Sequence, residues 1–226
     1  FHDNTADRGG GIFNGGGTNS FVANSTFYSN TATSNGGGIF NYEDLTVTNS
    51  TFQLNAAANN GGAFYSDPYQ HENDSPARYA VVTLKNTILA NSTSGSDCFN
   101  YVNGVNVPII GNNNLIRTDS AALNACGTTA PINNTDPKLG ARAGFPLPQY
   151  YPLLAGSPAL DAGRDTDCAA TPVNNTSQNK VTRPQGAHCD IGAYEAANKV
   201  GTTTTLAAAP NPSLPGQTVV FTATVT

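Results

Sequence analysis

Gly36-Gly37-Gly38-Ile39-Phe40-Asn41 decides the fold, because the same phrase stands at Gly9 to Asn14 and returns, worn down, at Gly61-Gly62-Ala63-Phe64. A second phrase follows each copy: Asn24-Ser25-Thr26-Phe27-Tyr28-Ser29-Asn30, then Asn49-Ser50-Thr51-Phe52-Gln53-Leu54-Asn55, then Asn86-Thr87-Ile88-Leu89-Ala90-Asn91. Phe27 and Phe52 are 25 residues apart, and Gly37 and Gly61 are 24 apart. A unit that short cannot bury a core of its own, so it must stack on its neighbours.

Within the unit the period is two. Ser20, Leu45 and Val82 align, as do Val22, Val47 and Leu84, and then Asn24, Asn49 and Asn86. That alternation is the spacing of a strand, and no helical period competes with it. Deleting one residue from the third copy brings Phe27, Phe52 and Ile88 into one ladder and Asn30, Asn55 and Asn91 into another. The reading is all-β: a right-handed parallel β-helix, with coils about 4.8 Å apart so that like residues stack. The glycine triplets belong at its corners, where φ turns positive or backbones crowd. The Asn-x-Ser/Thr triplets at Asn24 and Asn49 read as internal Asn stacking rather than glycan acceptors.

The pairing of the Gly36–Ile39 and Gly61–Phe64 phrases with Phe27–Asn30 and Phe52–Asn55 resembles the repeats of polymorphic outer-membrane proteins and related bacterial surface β-helices. A later run is similar to the choice-of-anchor Q region that closes many secreted bacterial β-helix proteins. Its landmarks are Ser96-Asp97-Cys98, Gly111 to Ile116, Asp136 to Leu139, Gly156 to Gly163, Arg183 to Gly186 and Cys189 to Glu195. After Ala196 to Lys199, the alternating stretches Thr202 to Leu206 and Thr218 to Thr226 resemble the first strands of a bacterial Ig-like repeat. The resemblances imply β-helix coils over 1–95, last coils and an irregular C-terminal cap over 96–197, and a linker with a truncated Ig-like segment over 198–226. The chain opens and closes in mid-pattern, which reads as an internal fragment.

Composition agrees with many tight turns and few helices: charged residues are 11% of the chain, Gly numbers 23, and Met and Trp are absent. A net charge of -5 argues against nucleic acid and anionic membrane as partners. No apolar run is long enough to span a bilayer. Four cysteines permit three connectivities. Cys98 with Cys126 and Cys168 with Cys189 is preferred, since each pair closes a Gly/Pro/Asn-rich segment where a staple contributes most, roughly 3 kcal/mol in the chain-entropy model. No C-x-x-C spacing suggests a metal site instead, and oxidising, extracellular or bacterial cell-surface surroundings follow.

Two segments offer site chemistry. Between Ser66 and Tyr79 the repeat is interrupted by an insertion bounded by Pro68 and Pro76, and Tyr69, His71, Glu72 and Asp74 would be its binding groups for a surface glycan or protein. Asp161, Asp165 and Asp167 share one Gly-containing loop and could gather oxygen ligands for Ca²⁺; turn-capping is the competing role, and no other cofactor is expected. Asp190 and Glu195 read as a turn signature at the last strand rather than an acid/base pair. Pro146, Pro148, Pro152 and Pro158 predict irregular chain wrapped over the end of the β-helix.

The charged residues of the clean coils, Asp3, Asp7, Arg8, Glu43 and Asp44, do not recur at one ladder position, and no nucleophile elbow accompanies His2, His71 or His188. The expectation is a monomeric, non-catalytic structural or adhesin-like module. Its alternative is a polysaccharide lyase or hydrolase whose catalytic coils lie upstream.

Overall fold

The computed structural model describes residues 1–16, 19–67, 70–71, 78–101, 107–118, 126, 132–146, 148–197 and 204–225, with the side chains of Gln70, His71, Arg78 and Val225 excepted. The glycine phrase produces the first sheet, in which Ile12–Asn14, Ile39–Asn41, Phe64–Ser66 and Cys98–Asn100 pair in parallel, one strand from each coil. The second sheet stacks Ser20–Ala23, Leu45–Thr48, Val82–Lys85 and Ile110–Asn112. The third stacks Thr26–Tyr28, Thr51–Gln53, Ile88–Ala90, Leu115–Ile116 and Ile132–Asn133. A short fourth joins Thr5–Ala6, Thr31–Ala32 and Ala56–Ala57. Each coil visits the sheets in the same order, which makes the chain a parallel β-helix.

Gly9, Gly36 and Gly61 start each copy with φ of 62°, 70° and 64°, a left-handed corner that glycine reaches without strain. The next glycine is needed for space. A Cβ on Gly37 would run into the carbonyl oxygens of Ala56 and Gly62. Inward side chains then fill the bore: Phe27 lies face to face on Phe52 at 4.5 Å, and Ile39, Phe64, Val47, Leu84, Leu89 and Ile116 complete a cluster with no exposure. Cys98 and Cys126 are disulfide-bonded and sit in the same cluster.

The alignment of the second sheet stands: Ser20 pairs with Leu45 and Val82, and Val22 with Val47 and Leu84. The third-sheet alignment of the sequence reading does not. Phe52 pairs with Leu89, and Ile88 pairs with Thr51. No residue is deleted, because the offset set by Leu45–Val82 continues unchanged through the corner at Asn49 and Asn86, both at left-handed φ of 45° and 44°. Asn91 therefore aligns with Leu54 as another left-handed corner (φ 57° and 56°) and is not part of an Asn30–Asn55 stack. That stack exists without it: Asn30 Nδ2 donates to Asn55 Oδ1 at 2.9 Å, and Asn55 Nδ2 to the Phe27 carbonyl at 3.0 Å.

Asn24, Asn49, Asn86 and Asn113 form a ladder of left-handed corners, but their side chains do not bond to one another inside the coil. They reach outward to the C-terminal segment: Asn49 Nδ2 to Cys168 Sγ at 3.1 Å, and Asn113 Nδ2 to the Ala162 carbonyl at 2.8 Å. That segment covers the flank of the third sheet rather than the end of the β-helix, from Tyr28, whose hydroxyl donates to Gln149, to Leu115. The reason is apolar: Ile88, Ala90 and Leu115 face out of the coil and are buried against Leu153, Ala159 and Ile191 in a second core.

The cap carries one helical turn, Asp165–Ala169, tied by the Cys168–Cys189 disulfide. Its interior polar group is Arg183, whose side chain is fully buried. Arg183 donates to the carbonyls of Asp190 (2.8 Å), Gly192 (2.7 Å) and Thr176 (3.1 Å) and to Glu195 Oε2 (3.1 Å). Glu195 also accepts from the backbone N–H of Asp190 and Gln185. Burial pushes the Glu195 carboxyl up and the Arg183 guanidinium down, and these hydrogen bonds offset part of that cost. Beyond 197, Thr204–Ala209 and Val220–Val225 pair as an antiparallel hairpin with Leu206 and Phe221 exposed. No helix among the described residues is long and apolar enough to cross a membrane.

Candidate functional site

The insertion leaves the first sheet at Ser66 and rejoins the second at Val82, and Ser66 and Ala80 on its flanks are buried. Its base is an antiparallel pair in which Gln70 faces Tyr79 and His71 faces Arg78. Tyr69, Glu72 and Asp74 lie outside the described residues; His71 is described as part of the base strand.

Beside that base runs an outward ladder the sequence reading missed. Phe13, Phe40, Tyr65 and Phe99 are register partners stacked at centroid distances of 5.5, 5.0 and 5.3 Å. Tyr42 packs edge-on against Phe40, and the Arg8 guanidinium lies 5.4 Å over the Phe40 ring while donating to Tyr42 Oη at 2.7 Å. Burial pushes the phenol of Tyr65 and the carboxyl of Asp67 up from their ordinary values. Because the rings cover one another's faces, Phe40 and Tyr65 present only edges and are themselves buried, which makes the ladder an external spine. Its signal was the aromatic residue one place after each Ile12-type position.

The three cap aspartates separate. Asp161 and Asp165 line one cleft of about 400 Å³ together with His188, whereas Asp167 turns toward Lys85, 3.4 Å away. Asp165 Oδ2 pairs with His188 Nδ1 at 2.9 Å and its Oδ1 accepts from the Cys189 N–H at 2.9 Å; these two bonds, the His188 one foremost, hold its carboxyl below the ordinary value. Asp161 Oδ1 accepts from the His188 N–H at 3.4 Å. The carboxylates are thus occupied by turn N–H groups and an imidazole, the capping role. Among the described residues no three His, Cys, Asp or Glu side chains gather around a common ion position. Asp190 accepts from the N–H groups of Asp161 and Ala196, which makes it a clasp of the cap together with Glu195.

An open groove of about 670 Å³ lies where the corners of the coils meet the cap. Gln53 and Asn91 form one wall, with Asn91 Nδ2 donating to Gln53 Oε1 at 2.8 Å, and Arg117 and Lys138 stand beside Asp136. The Asp136 carboxylate caps its own turn by accepting from the Lys138 N–H at 2.9 Å. Neither cation has an ion-pair partner among the described residues. Such a groove offers amide donors and acceptors and excess positive charge on an acidic protein. Gln53, Asn91, Arg117 and Lys138 are scattered in sequence, and coil stacking together with the cap places them around one groove.

Residues 24–42 match the repeat of the Chlamydia polymorphic membrane protein family. The match runs from the Asn24 corner through Phe27 and the glycine triplet to the first-sheet strand Ile39–Asn41, one passage from the third sheet back to the first. No curated protein and no solved structure matches the chain. Residues 24–42 are thus similar to a polymorphic-membrane-protein repeat, and they lie within a parallel β-helix whose chain holds two disulfides.

Proposed function

We propose that this chain is a secreted or bacterial cell-surface β-helix module, adhesin-like and non-catalytic, that holds its insertion and groove out to a surface glycan or protein. The observation that carries this reading is the rooting of the insertion. Its two flanks are buried at Ser66 (1% exposed) and Ala80 (0%), which supports an insertion rooted in the β-helix. The surface-protein repeat at 24–42 and the two disulfides support the location. In this reading the cap is of the choice-of-anchor type, the hairpin 204–225 opens an Ig-like spacer, and the module works as a monomer.

The test uses this chain and a variant in which residues 68–77 are replaced by Gly-Ser. Both are titrated against immobilised acidic and neutral polysaccharides, with and without Ca²⁺. Retention by the parent and loss by the variant is expected, with unfolding free energy lowered by no more than about 1 kcal/mol, since surface loops contribute little closure entropy. Release of reducing ends or unsaturated products by the parent would overturn the non-catalytic reading.

A further inference from the structure

Lys85 and Asn112 are register partners in the second sheet, one coil apart at the strand spacing of about 4.8 Å. Both reach the carboxylate of Asp167. Lys85 Nζ lies 3.4 Å from Asp167 Oδ1. Asn112, its amide oriented to satisfy both neighbours, donates Nδ2 to Asp167 Oδ2 at 2.9 Å and accepts on its oxygen from Arg164 Nη1 at 2.9 Å. Asp167 is buried, on a helical turn whose Cys168 is disulfide-bonded. An amine, a carboxamide, a carboxylate between them and a guanidinium on the amide oxygen are thus held together by three separate parts of the chain.

We propose that Lys85 and Asn112 are joined by an intramolecular isopeptide bond that the chain forms by itself, with Asp167 moving the proton and Arg164 holding the amide oxygen. Asp167 accepts a proton from the Lys85 ammonium, and the freed Nζ lone pair attacks Cγ of Asn112. Negative charge develops on the Asn112 oxygen, where the Arg164 guanidinium already donates. Asp167 returns its proton to Nδ2, the Cγ–Nδ2 bond breaks, and the departing ammonia carries away the second proton lost by Nζ. The sum is one ammonium side chain and one carboxamide giving one secondary amide and one ammonium ion, so no oxidant or other reactant is required.

The position gives the bond a use. The coil after Lys85 contributes only three residues to the second sheet and two to the third, Ile110–Asn112 and Leu115–Ile116, and Gly111 in mid-strand adds no side chain. A covalent rung there fastens a coil with fewer ladder positions than the coils before it, which suits a module that bears load. The chemistry does not depend on the display reading and survives its failure.

Mass spectrometry of the reduced parent chain tests it. The expected result is a mass lower than that of the sequence by one ammonia. In the tryptic map, residues 79–117 should stay in one piece because cleavage after Lys85 is blocked, and chymotryptic cuts after Phe99 or Tyr101 should leave the two halves joined. Lys85→Arg and Asp167→Asn should restore the sequence mass and, for Lys85→Arg, cleavage at position 85. Succinimide formation at Asn-Gly sites also releases ammonia, so the joined halves decide. Separate linear peptides carrying free Lys85 and intact Asn112 in the parent, or a deficit that persists in Lys85→Arg, would overturn the proposal.

Discussion

Asn86 holds Arg164 as a neighbouring strand would: its Oδ1 accepts from the Arg164 N–H at 2.8 Å and its Nδ2 donates to the Arg164 carbonyl at 3.1 Å. A buried side chain from a corner of the coil thus satisfies both backbone groups of a cap residue 78 positions away. Replacing it leaves the Arg164 N–H without that partner, while the carbonyl keeps the N–H groups of Asp167 and Cys168, and puts a Cβ residue with no local hydrogen bonding at φ 44°. Asn86→Ala is expected to cost about 2–4 kcal/mol in urea unfolding. Asn24→Ala, at the same corner but with only a 3.4 Å bond to Thr176 Oγ1, should cost less than half of that; equal losses would mean the cap is held by apolar contact alone.

The register of the third sheet makes a second prediction. Phe52 and Leu89 share the bore, while Ile88 belongs to the core beneath the cap. Phe52→Ala should cost about 3–5 kcal/mol and Leu89→Ala about 2–5. Ile88→Ala should cost a similar amount but show itself differently in hydrogen exchange. The amides of Gly192 and Ala193, which bond to the Asn86 carbonyl and to Thr51 Oγ1, should lose protection first, with the coil amides unaffected. Loss of protection spread evenly over the coils would place Ile88 inside.

Why the coils were legible and the cap was not follows from these residues. Ile12, Ile39 and Phe64 recur because each must meet the same neighbours one coil away, so stacking writes itself into the sequence as a period. The slip at Ile88 came from matching Ile to Phe and Asn91 to Asn55 by type. Both core and cap demand buried apolar groups, and type alone does not say which side of the strand they face. Asn86 with Arg164, Thr51 with Ala193 and Asp161 with His188 each occur once, between segments that share no period. For the same reason the groove of Gln53, Asn91, Arg117 and Lys138 left no mark. The cysteines were an exception, since an even count and loop-closing spacing narrow the choices sharply.

Asp165 carries a pH dependence whose sign is fixed by its partners. Its carboxyl lies below the ordinary value of 3.8 because His188 and the Cys189 N–H bond to the charged form. A depressed acid binds its proton more weakly folded than unfolded, so its contribution is full above pH 3.8 and is lost as pH falls below that value. Cap stability followed by urea unfolding should therefore decline below that point. Asp165→Asn should flatten that part of the acid limb. The pair is partly exposed, so solvent screens it and the change should be small. An acid limb unchanged by Asp165→Asn would assign the loss to other carboxylates.

The polar ladder of the first sheet has a gap that can be filled. Asn14 Nδ2 donates to Asn41 Oδ1 at 2.6 Å across one coil, which shows that this position accommodates an amide reaching its neighbour. In the next coil the position is Ser66, and its Oγ is buried without a partner; so is Oδ1 of Asn100, its register partner on the other side. The serine is too short to bridge a coil spacing, so two acceptor-capable oxygens are withheld from water with nothing to replace it. Ser66→Asn would supply Nδ2 to Asn100 Oδ1 in the geometry that Asn14 and Asn41 already use. The expected outcome is stabilisation of about 0.5–1.5 kcal/mol by urea unfolding, the net value of one hydrogen bond, reduced by the cost of ordering the longer side chain. Ser66→Ala, which removes one buried hydroxyl and restores nothing to Asn100, should move stability by less and serves as the comparison. Destabilisation by Ser66→Asn beyond about 1 kcal/mol would mean the gap is already filled by tight packing, since inserting atoms into a full core costs about that much or more.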